Sequence, residues 1–353
     1  MRQALQLAER GRGRTSPNPM VGALVVDADG VIVGRGAHAY AGGPHAEVQA
    51  LDDAGPRARG ATLYCTLEPC THVGRTGPCA PRVAGAGIDR IVVATEDPNP
   101  VAGGGLSYLR ERGVQVTAGV LGAEAARLNE GFFTRVRRGR PFVTMKVAMS
   151  LDGKVSAGAG VRTALTGTAA NRLVHRERAE VDAVAVGSGT VLADDPRLTA
   201  RVAYREHPLT RVIYDRGLRT PPSARLFSTL ALGPVIIIST PQAVETMPER
   251  AGALEAAGAT IEAAAGSLEM SLRALGERGI SSLVVEGGPS LHRAFWDADL
   301  VDRIQMFVAP CTIGKAGVPW LSEPVMSSPR VGARRARPVG DDVVLEGYVH
   351  RAD

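Results

Sequence analysis

A histidine followed two residues later by a glutamate, His45-Ala46-Glu47, and two cysteines, Cys70 after Pro69 and then Cys79, are the side chains of this chain best suited to act together. One imidazole and two thiolates supply three zinc ligands and leave the fourth tetrahedral position to water, the arrangement of a catalytic rather than a structural site. The metal would acidify that water for attack on an electron-poor ring carbon. Glu47 is placed to move its proton without binding metal. Alone, a His-x-Glu or a cysteine pair says little, since most such cysteines are buried packing; the combination in this order is specific. A structural zinc would need a fourth protein ligand, which His72 or Cys65 could supply, although Cys65 falls in an alternating strand and His72 in a Gly-rich loop.

The surrounding segment alternates strand-like and helix-like stretches. Residues 20–26 and 31–33 read as strands joined by the hairpin turn Asp27-Ala28-Asp29-Gly30. A helix is expected from Pro44, where a missing N–H is harmless. Residues 61–66 and 90–95 are further strands, with Pro69 and Cys70 opening the helix between them and Gly85-Ala86-Gly87 closing it. Both ligand segments would then open helices, whose N-terminal dipoles favour thiolate and hydroxide.

A helical stretch, 124–138, runs into Arg137-Arg138-Gly139-Arg140-Pro141, a Gly/Pro-punctuated boundary. The alternation then restarts with strands at 142–147, 183–187, 211–215, 235–239 and 282–286, helices at 169–179, 244–257 and 268–278, and closing strands at 303–308 and 343–349. Such alternation predicts a mainly parallel sheet covered on both faces. With no internal repeat, the halves are different domains. The division expected is 1–120, a helical connector at 121–140, and 141–353, in line with two domains for 353 residues.

Composition narrows the class. Hydrophobic residues at 44% and charged residues at 22% are ordinary for a globular protein and exclude disorder, collagen and coiled coil. The net charge of +5 points to no nucleic-acid partner: only three of the 41 basic residues are Lys (Lys146, Lys154 and Lys315), no Lys/Arg run exceeds three, and aromatics for stacking are sparse. No window approaches the ~18 apolar residues of a spanning helix, and the start lacks an uninterrupted apolar stretch, so no membrane partner and a cytoplasmic location are expected. Four cysteines cannot form a disulfide framework, and clustered cysteines in a reducing compartment point to metal or catalysis.

The order His-x-Glu then Pro-Cys resembles the cytidine-deaminase-like zinc deaminases, whose pattern closes as Cys-x-x-Cys. Here the cysteines are separated by Thr71-His72-Val73-Gly74-Arg75-Thr76-Gly77-Pro78. That insertion, with Ser16-Pro17-Asn18-Pro19-Met20-Val21-Gly22, Ala41-Gly42-Gly43-Pro44-His45-Ala46-Glu47 and Thr66-Leu67-Glu68-Pro69-Cys70, resembles the RibD family of bifunctional riboflavin-biosynthesis proteins. The second half joins it through Ser150-Leu151-Asp152-Gly153, Val186-Gly187-Ser188-Gly189-Thr190-Val191-Leu192-Ala193-Asp194-Asp195-Pro196 and Val285-Glu286-Gly287-Gly288, so the resemblance spans nearly the whole chain.

The resemblance implies an α/β protein: an N-terminal cytidine-deaminase-like zinc domain followed by a dihydrofolate-reductase-like α/β domain. It implies two consecutive steps. The first half would remove the 2-amino group of 2,5-diamino-6-(5-phosphoribosylamino)pyrimidin-4(3H)-one with Zn2+, and the second would reduce the ribosyl group to ribityl with NADPH. His45, Cys70 and Cys79 would hold zinc and Glu47 relay the proton; Asn18, His38 and Arg75 fall on positions that meet the substrate, Arg75 facing its phosphate. In the second half, Ala148, Thr190 and Asp194, with the loop Gly288, Pro289, Ser290, Leu291, His292, Arg293 and Ala294, fall on cofactor positions. Arg178, Leu198, Arg201 and Glu286 fall on substrate positions. A homo-oligomer is implied by the resemblance alone.

From the residues themselves the second half speaks less: Gly187-Ser188-Gly189 and Gly287-Gly288 follow strands and could admit phosphates, yet neither matches G-x-G-x-x-G. No residue stands out as the proton donor of the reduction. Where relatives commonly read Gly-x-Ser-x-Trp-Ile-Thr, this chain has Gly160-Val161-Arg162-Thr163-Ala164-Leu165-Thr166, so Arg162 takes the place of a substrate-side Ser and Ala164 that of a Trp beside the cofactor. Arg216 follows Asp215 where Ser is usual. Alternatives therefore stay open: a monofunctional deaminase carrying a degenerate reductase domain, or a nucleic-acid deaminase, which would predict basic stripes with interleaved aromatics.

Overall fold

The computed structural model describes residues 1–73, 77–201, 204–264 and 267–350. The chain divides into two compact units, the first ending at Gly139 and the second beginning at Arg140. Among the described residues, no helix is long and apolar enough to cross a membrane.

The first unit carries β1 (Gly22–Val26), β2 (Ile32–Ala37), β3 (Thr62–Cys65), β4 (Arg90–Val93) and β5 (Gln115–Thr117), with α1 (Arg2–Ala8), α2 (Ala46–Ala54), α3 (Cys79–Gly85), α4 (Gly105–Arg110), α5 (Gly122–Leu128) and α6 (Glu130–Arg138). Its sheet runs β2-β1-β3-β4-β5. The hairpin β1/β2 and the pair β1/β3 are antiparallel, whereas β3/β4 and β4/β5 are parallel.

One contact sets the position of α2. Its buried face is small, Ala46, Ala50 and Ala54 with Leu51, and β2 meets it with Gly34 and Gly36, where a Cβ would stand 2.1 Å from the Ala50 carbonyl oxygen and 2.0 Å from that of Ala46. Helix and strand therefore touch backbone to backbone, a distance only glycine permits. This fixes the start of α2, and that start is where the chemistry lies.

The second unit contains β6 (Phe142–Ser150), β7 (Lys154–Ser156), β8 (Ala183–Gly187), β9 (Thr210–Tyr214), β10 (Val235–Ser239), β11 (Ala259–Ala263), β12 (Ser282–Val285), β13 (Arg303–Ala309), β14 (Val318–Pro319), β15 (Gly332–Val339) and β16 (Asp342–Tyr348). Its helices are α7 (Thr168–Glu180), α8 (Ser188–Asp194), α9 (Pro241–Thr246), α10 (Pro248–Ala256), α11 (Leu268–Glu277) and α12 (Pro289–Asp297). The main sheet runs β11-β10-β9-β8-β12-β6-β13-β16-β15, parallel from β11 to β13 and antiparallel at β13/β16 and β16/β15. The run VIIIS of β10 is buried throughout, as expected of a strand covered on both faces. Leu272 and Leu275 of α11 and Phe295 and Trp296 of α12 pack in one cluster, and Ala243 of α9 with Ala251 and Leu254 of α10 in another.

Several sequence expectations are corrected. The helix expected from Pro44 begins at Ala46, with His45 extended at its N-cap (φ −71°, ψ 154°). The helix expected at Pro69-Cys70 begins instead at Cys79, so no helix start lies at Cys70. The stretch 124–138 is two helices, broken at Asn129, whose buried side-chain amide accepts from Met20 N (2.7 Å) and donates to Met20 O (2.9 Å). The stretch 244–257 is likewise two, parted at Pro248 because proline cannot continue a helix. Of the loop expected over 288–294, residues 289–294 instead lie in α12, for which Pro289 is a favourable first residue.

Candidate functional site

Three segments deliver one cluster. His45 hangs from the start of α2, Cys79 opens α3, and Cys70 lies in the loop after β3. His45 Nδ1 is 3.2 Å from Cys79 Sγ and 3.6 Å from Cys70 Sγ, and all three ligand atoms lie within 4.8 Å of one another. A tetrahedral zinc with ordinary Zn–N and Zn–S bonds separates such a nitrogen and sulfur by about 3.6 Å, so the donors fit that ion. Among the described residues no further His, Cys, Asp or Glu joins the cluster: Cys65 is buried in β3, and His72 instead lines the cavity nearby.

The loop that carries Cys70 is fastened from several sides. Glu68, buried, accepts from Asp97 N (3.1 Å) and Leu106 N (2.9 Å). Thr71 N donates to Ala102 O (3.0 Å) and Ala80 N to Cys70 O (3.1 Å). At Gly105 a Cβ would lie 1.8 Å from the Pro69 carbonyl oxygen, so α4 closes on the loop through bare backbone.

A cavity of about 320 Å³ opens beside the cluster, lined among others by Asn18, His38, Glu47, His72, Asp97 and Arg135. Glu47 is 4% exposed, and burial pushes its carboxyl up to about 7, close to the value at which a proton can be both taken and returned near neutrality. The Cys79 thiol hydrogen-bonded to Cys70, with His45 beside it, draws Cys70 down to about 4, and Cys79 moves the opposite way as partner in that bond. His38 Nδ1 pairs with the Pro44 carbonyl (3.2 Å), so its Nε2 is the acceptor for the Asn18 amide at 3.3 Å. Burial lowers the pKa of His38, which keeps it the neutral, accepting ring. Burial also raises Asp97, to about 6. Asp97 and Arg135 were not singled out by sequence reasoning; the only signal was the polar turn Asp97-Pro98-Asn99 directly after a strand. Arg75 lies outside the described residues.

In the second unit a cavity of about 500 Å³ is lined by Ala148, Arg178, Thr190, Asp194, Leu198 and Glu286, together with Gly288, Pro289, Ser290 and Leu291. Besides Asp194, its charged wall is a pair and a third member. Arg178 closes on Glu286 with two hydrogen bonds, and Lys146 Nζ stands 4.0 Å from Glu286 Oε2. Burial alone would raise Glu286, but Arg178 and Lys146 outweigh it and hold the carboxyl near 2. Burial lowers Lys146 below the ordinary lysine value, against the pull of Glu286. Lys146 was missed in the sequence because it sits inside an otherwise apolar strand, where nothing marks which face it takes.

Other expected residues lie elsewhere. Ala294 lines an adjoining cavity. His292 is fully buried, accepting from Trp320 Nε1 (2.8 Å) and donating to Val285 O (3.2 Å). Arg293 is held by Glu323 and Ser322. Arg201 lies against His175 Nε2 (3.1 Å), and Arg162 is exposed with its field felt at Asp194. Arg162, Ala164, Arg201, His292 and Arg293 do not line the 500 Å³ cavity.

Comparison with known proteins agrees with this division. Residues 1–95 match the cytidine and deoxycytidylate deaminase zinc-binding region, and residues 141–345 match the RibD C-terminal domain. The chain is 42% identical to the riboflavin biosynthesis protein RibD of Aquifex aeolicus, covering 98% of this chain and 96% of that one, and 38% identical to that of Escherichia coli, covering 98% and 97%. Among solved structures, Acinetobacter baumannii RibD superposes with a TM-score of 0.88 at 35% identity, covering 98% of this chain and 97% of that one. A Thermotoga maritima deaminase/reductase superposes at 0.86 and 37%, covering 99% and 97%.

Proposed function

The chain belongs to the RibD family, and from that premise we propose how its own residues divide the two reactions. The protein is a bifunctional enzyme of riboflavin biosynthesis, a zinc-dependent deaminase and an NADPH-dependent reductase. We assign deamination of 2,5-diamino-6-(5-phosphoribosylamino)pyrimidin-4(3H)-one to residues 1–120 and reduction of its ribosyl group to ribityl to residues 141–353, with 121–140 as connector.

His45, Cys70 and Cys79 hold zinc, which when bound supplies a Lewis acid that activates the attacking water. Glu47 takes a proton from that water and returns it to the departing amino nitrogen, so that water and the C–NH2 group become a carbonyl and ammonia. Its burial and raised pKa support both roles. The Asn18 and His38 pair orients the pyrimidine, and Asp97 receives N–H donors of the ring. Arg75 is assigned to the phosphate.

In the second unit NADPH supplies the hydride. Thr190, Asp194, Ala148 and residues 288–291 seat the cofactor. Arg178 and Arg201 meet the sugar phosphate, Glu286 holds Arg178 in place and accepts from the sugar hydroxyls, and Lys146 gives a proton to the oxygen leaving the reacting sugar carbon. A homo-oligomer, resting on the family resemblance alone, completes the reading, with a cytoplasmic location and the lack of a nucleic-acid partner, which rest on the composition and hydropathy of the sequence.

The observation that carries this reading is the meeting of His45, Cys70 and Cys79 beside a buried Glu47 in one cavity. The test is a coupled assay of zinc-loaded protein with the diaminopyrimidine ribosyl phosphate, following ammonia release and NADPH oxidation separately. Ammonia followed by stoichiometric NADPH consumption supports both halves. Ammonia without oxidation of NADPH or NADH would reduce the protein to a deaminase, and no ammonia at all would overturn the substrate.

A further inference from the structure

The cavity beside the zinc ligands draws its lining from stretches far apart in sequence, among them Pro17, Asn18, Pro19 and Val21 ahead of β1, and Phe132 and Arg135 of α6. The first stretch lies outside the sheet, since β1 begins only at Gly22. Its main-chain polar groups must therefore find partners beyond the strand ladder.

At Met20 both partners come from one side chain. Asn129 Oδ1 accepts from Met20 N at 2.7 Å and Asn129 Nδ2 donates to Met20 O at 2.9 Å. Asn129 is the N-cap of α6, a position where asparagine ordinarily bonds the free N–H groups of its own helix. Here the side chain makes no such cap bond; 3% exposed, it is turned to Met20 instead. Further along the same helix, Arg135 Nη2 donates to Pro17 O at 3.1 Å. The helix is itself anchored by Phe133, fully buried in the core of the first unit. Asn18 sits between the two attachments, its amide donating to His38 Nε2 at 3.3 Å.

Resting on the assignment of Asn18 and His38 to the pyrimidine, we propose that α6 is the brace of the deaminase site: Asn129 and Arg135 are positioning residues that hold segment 17–20 so that Asn18 meets the substrate ring in a reactive orientation. All three bonds reach backbone atoms, so they fix the course of the main chain whatever side chains it bears. Such fixing matters because a displacement of about 1 Å at a binding group costs on the order of 10²-fold in rate. The deaminase then depends on residues past 120, in a stretch that reads from sequence only as a connector.

The experiment measures ammonia release from the diaminopyrimidine ribosyl phosphate by the full-length zinc-loaded protein, for the wild type, Asn18→Ala, Asn129→Ala, Arg135→Met and the double variants that pair Asn18→Ala with each brace change. Asn129→Ala lowers kcat/KM about 10²-fold, the scale of a small misplacement, and Arg135→Met about tenfold, the scale of one charged hydrogen bond. Each divides its loss between KM and kcat as Asn18→Ala does. In the Asn18→Ala background neither adds a further loss, because residues acting through one contact are not additive. Zinc content and reduction of the supplied deaminated intermediate stay at the wild-type level.

Losses that multiply in the double variants, kcat/KM unchanged in both brace variants, or a fall in kcat alone with KM untouched, the mark of fewer folded molecules, each overturn the proposal. Should Asn129→Ala not fold, the cycle with Arg135→Met, whose side chain is only half-buried, decides alone. A wild type that turns over the substrate and is indifferent to Asn18→Ala overturns the pyrimidine contact and this inference with it, whereas a wild type that releases no ammonia overturns the substrate assignment itself.

Discussion

Arg178 grips Glu286 with two parallel bonds, Nε to Oε1 at 2.8 Å and Nη2 to Oε2 at 2.7 Å, and so keeps charged a carboxylate that burial would otherwise neutralise. The pair sets the titration of its neighbour. Glu286 raises Lys146 while burial lowers it. The reductase rate should therefore fall as pH rises through a pKa below 10.5, as the Lys146 ammonium is lost. Glu286→Gln removes the upward pull and moves this alkaline limb to lower pH, whereas Lys146→Arg abolishes the limb because guanidinium does not titrate in the range. The check is kcat/KM for NADPH oxidation between pH 7 and 10 with the deaminated substrate supplied; a limb that persists in Lys146→Arg would reject the assignment.

Glu47→Gln preserves the shape of the buried side chain and removes its proton-carrying capacity. Ammonia release should drop by about 10²- to 10⁴-fold, the usual contribution of a general acid–base group, with zinc content unchanged by elemental analysis. Reduction of the supplied deaminated intermediate should continue.

Removal of the metal separates the two halves. Chelation, or Cys79→Ser, should abolish ammonia release and lower zinc stoichiometry while NADPH oxidation persists. Cys65→Ser should leave zinc stoichiometry intact, since Cys65 stands apart from the cluster; loss of zinc in that variant would contradict the three-ligand site.

Asp302 supports the second unit through a buried ion pair. Its carboxylate accepts from Arg140 Nη1 (2.6 Å) and Nη2 (2.9 Å) and from Val143 N (2.8 Å), with both side chains nearly inaccessible. Asp302→Ala would strand a buried guanidinium, so the unfolding free energy of this unit should fall by about 3–5 kcal/mol, read from urea denaturation followed by NADPH-oxidising activity. Full stability in that variant would show that solvent reaches Arg140.

Most of the regular elements were legible because their signals are local. The buried apolar runs of β8 and β10 announce themselves, and His45, Glu47, Cys70 and Cys79 form a pattern whose chemistry can be named before any geometry is known. What stayed hidden depends on partners distant in sequence. Arg140 reads as punctuation at a boundary until Asp302 comes to meet it. The edge strand β15, with Arg334, Arg335 and Arg337 exposed, has no apolar alternation to betray it; its charge instead suits an edge that must not pair with another chain. His292 lies among residues that suggested a cofactor loop, yet the helix it belongs to turns it into the core.

Gly105 neither belongs to the metal cluster nor lines the cavity beside it, yet the carbonyl of Pro69 lies where its side chain would be. Any larger residue there must displace the segment that ends in Cys70. Heritable loss of metal in this protein can therefore arise from a position with no affinity for metal, and a survey confined to the ligands would miss it. The zinc site is, in that sense, larger than its coordination sphere: its boundary runs through the close approach of two backbones.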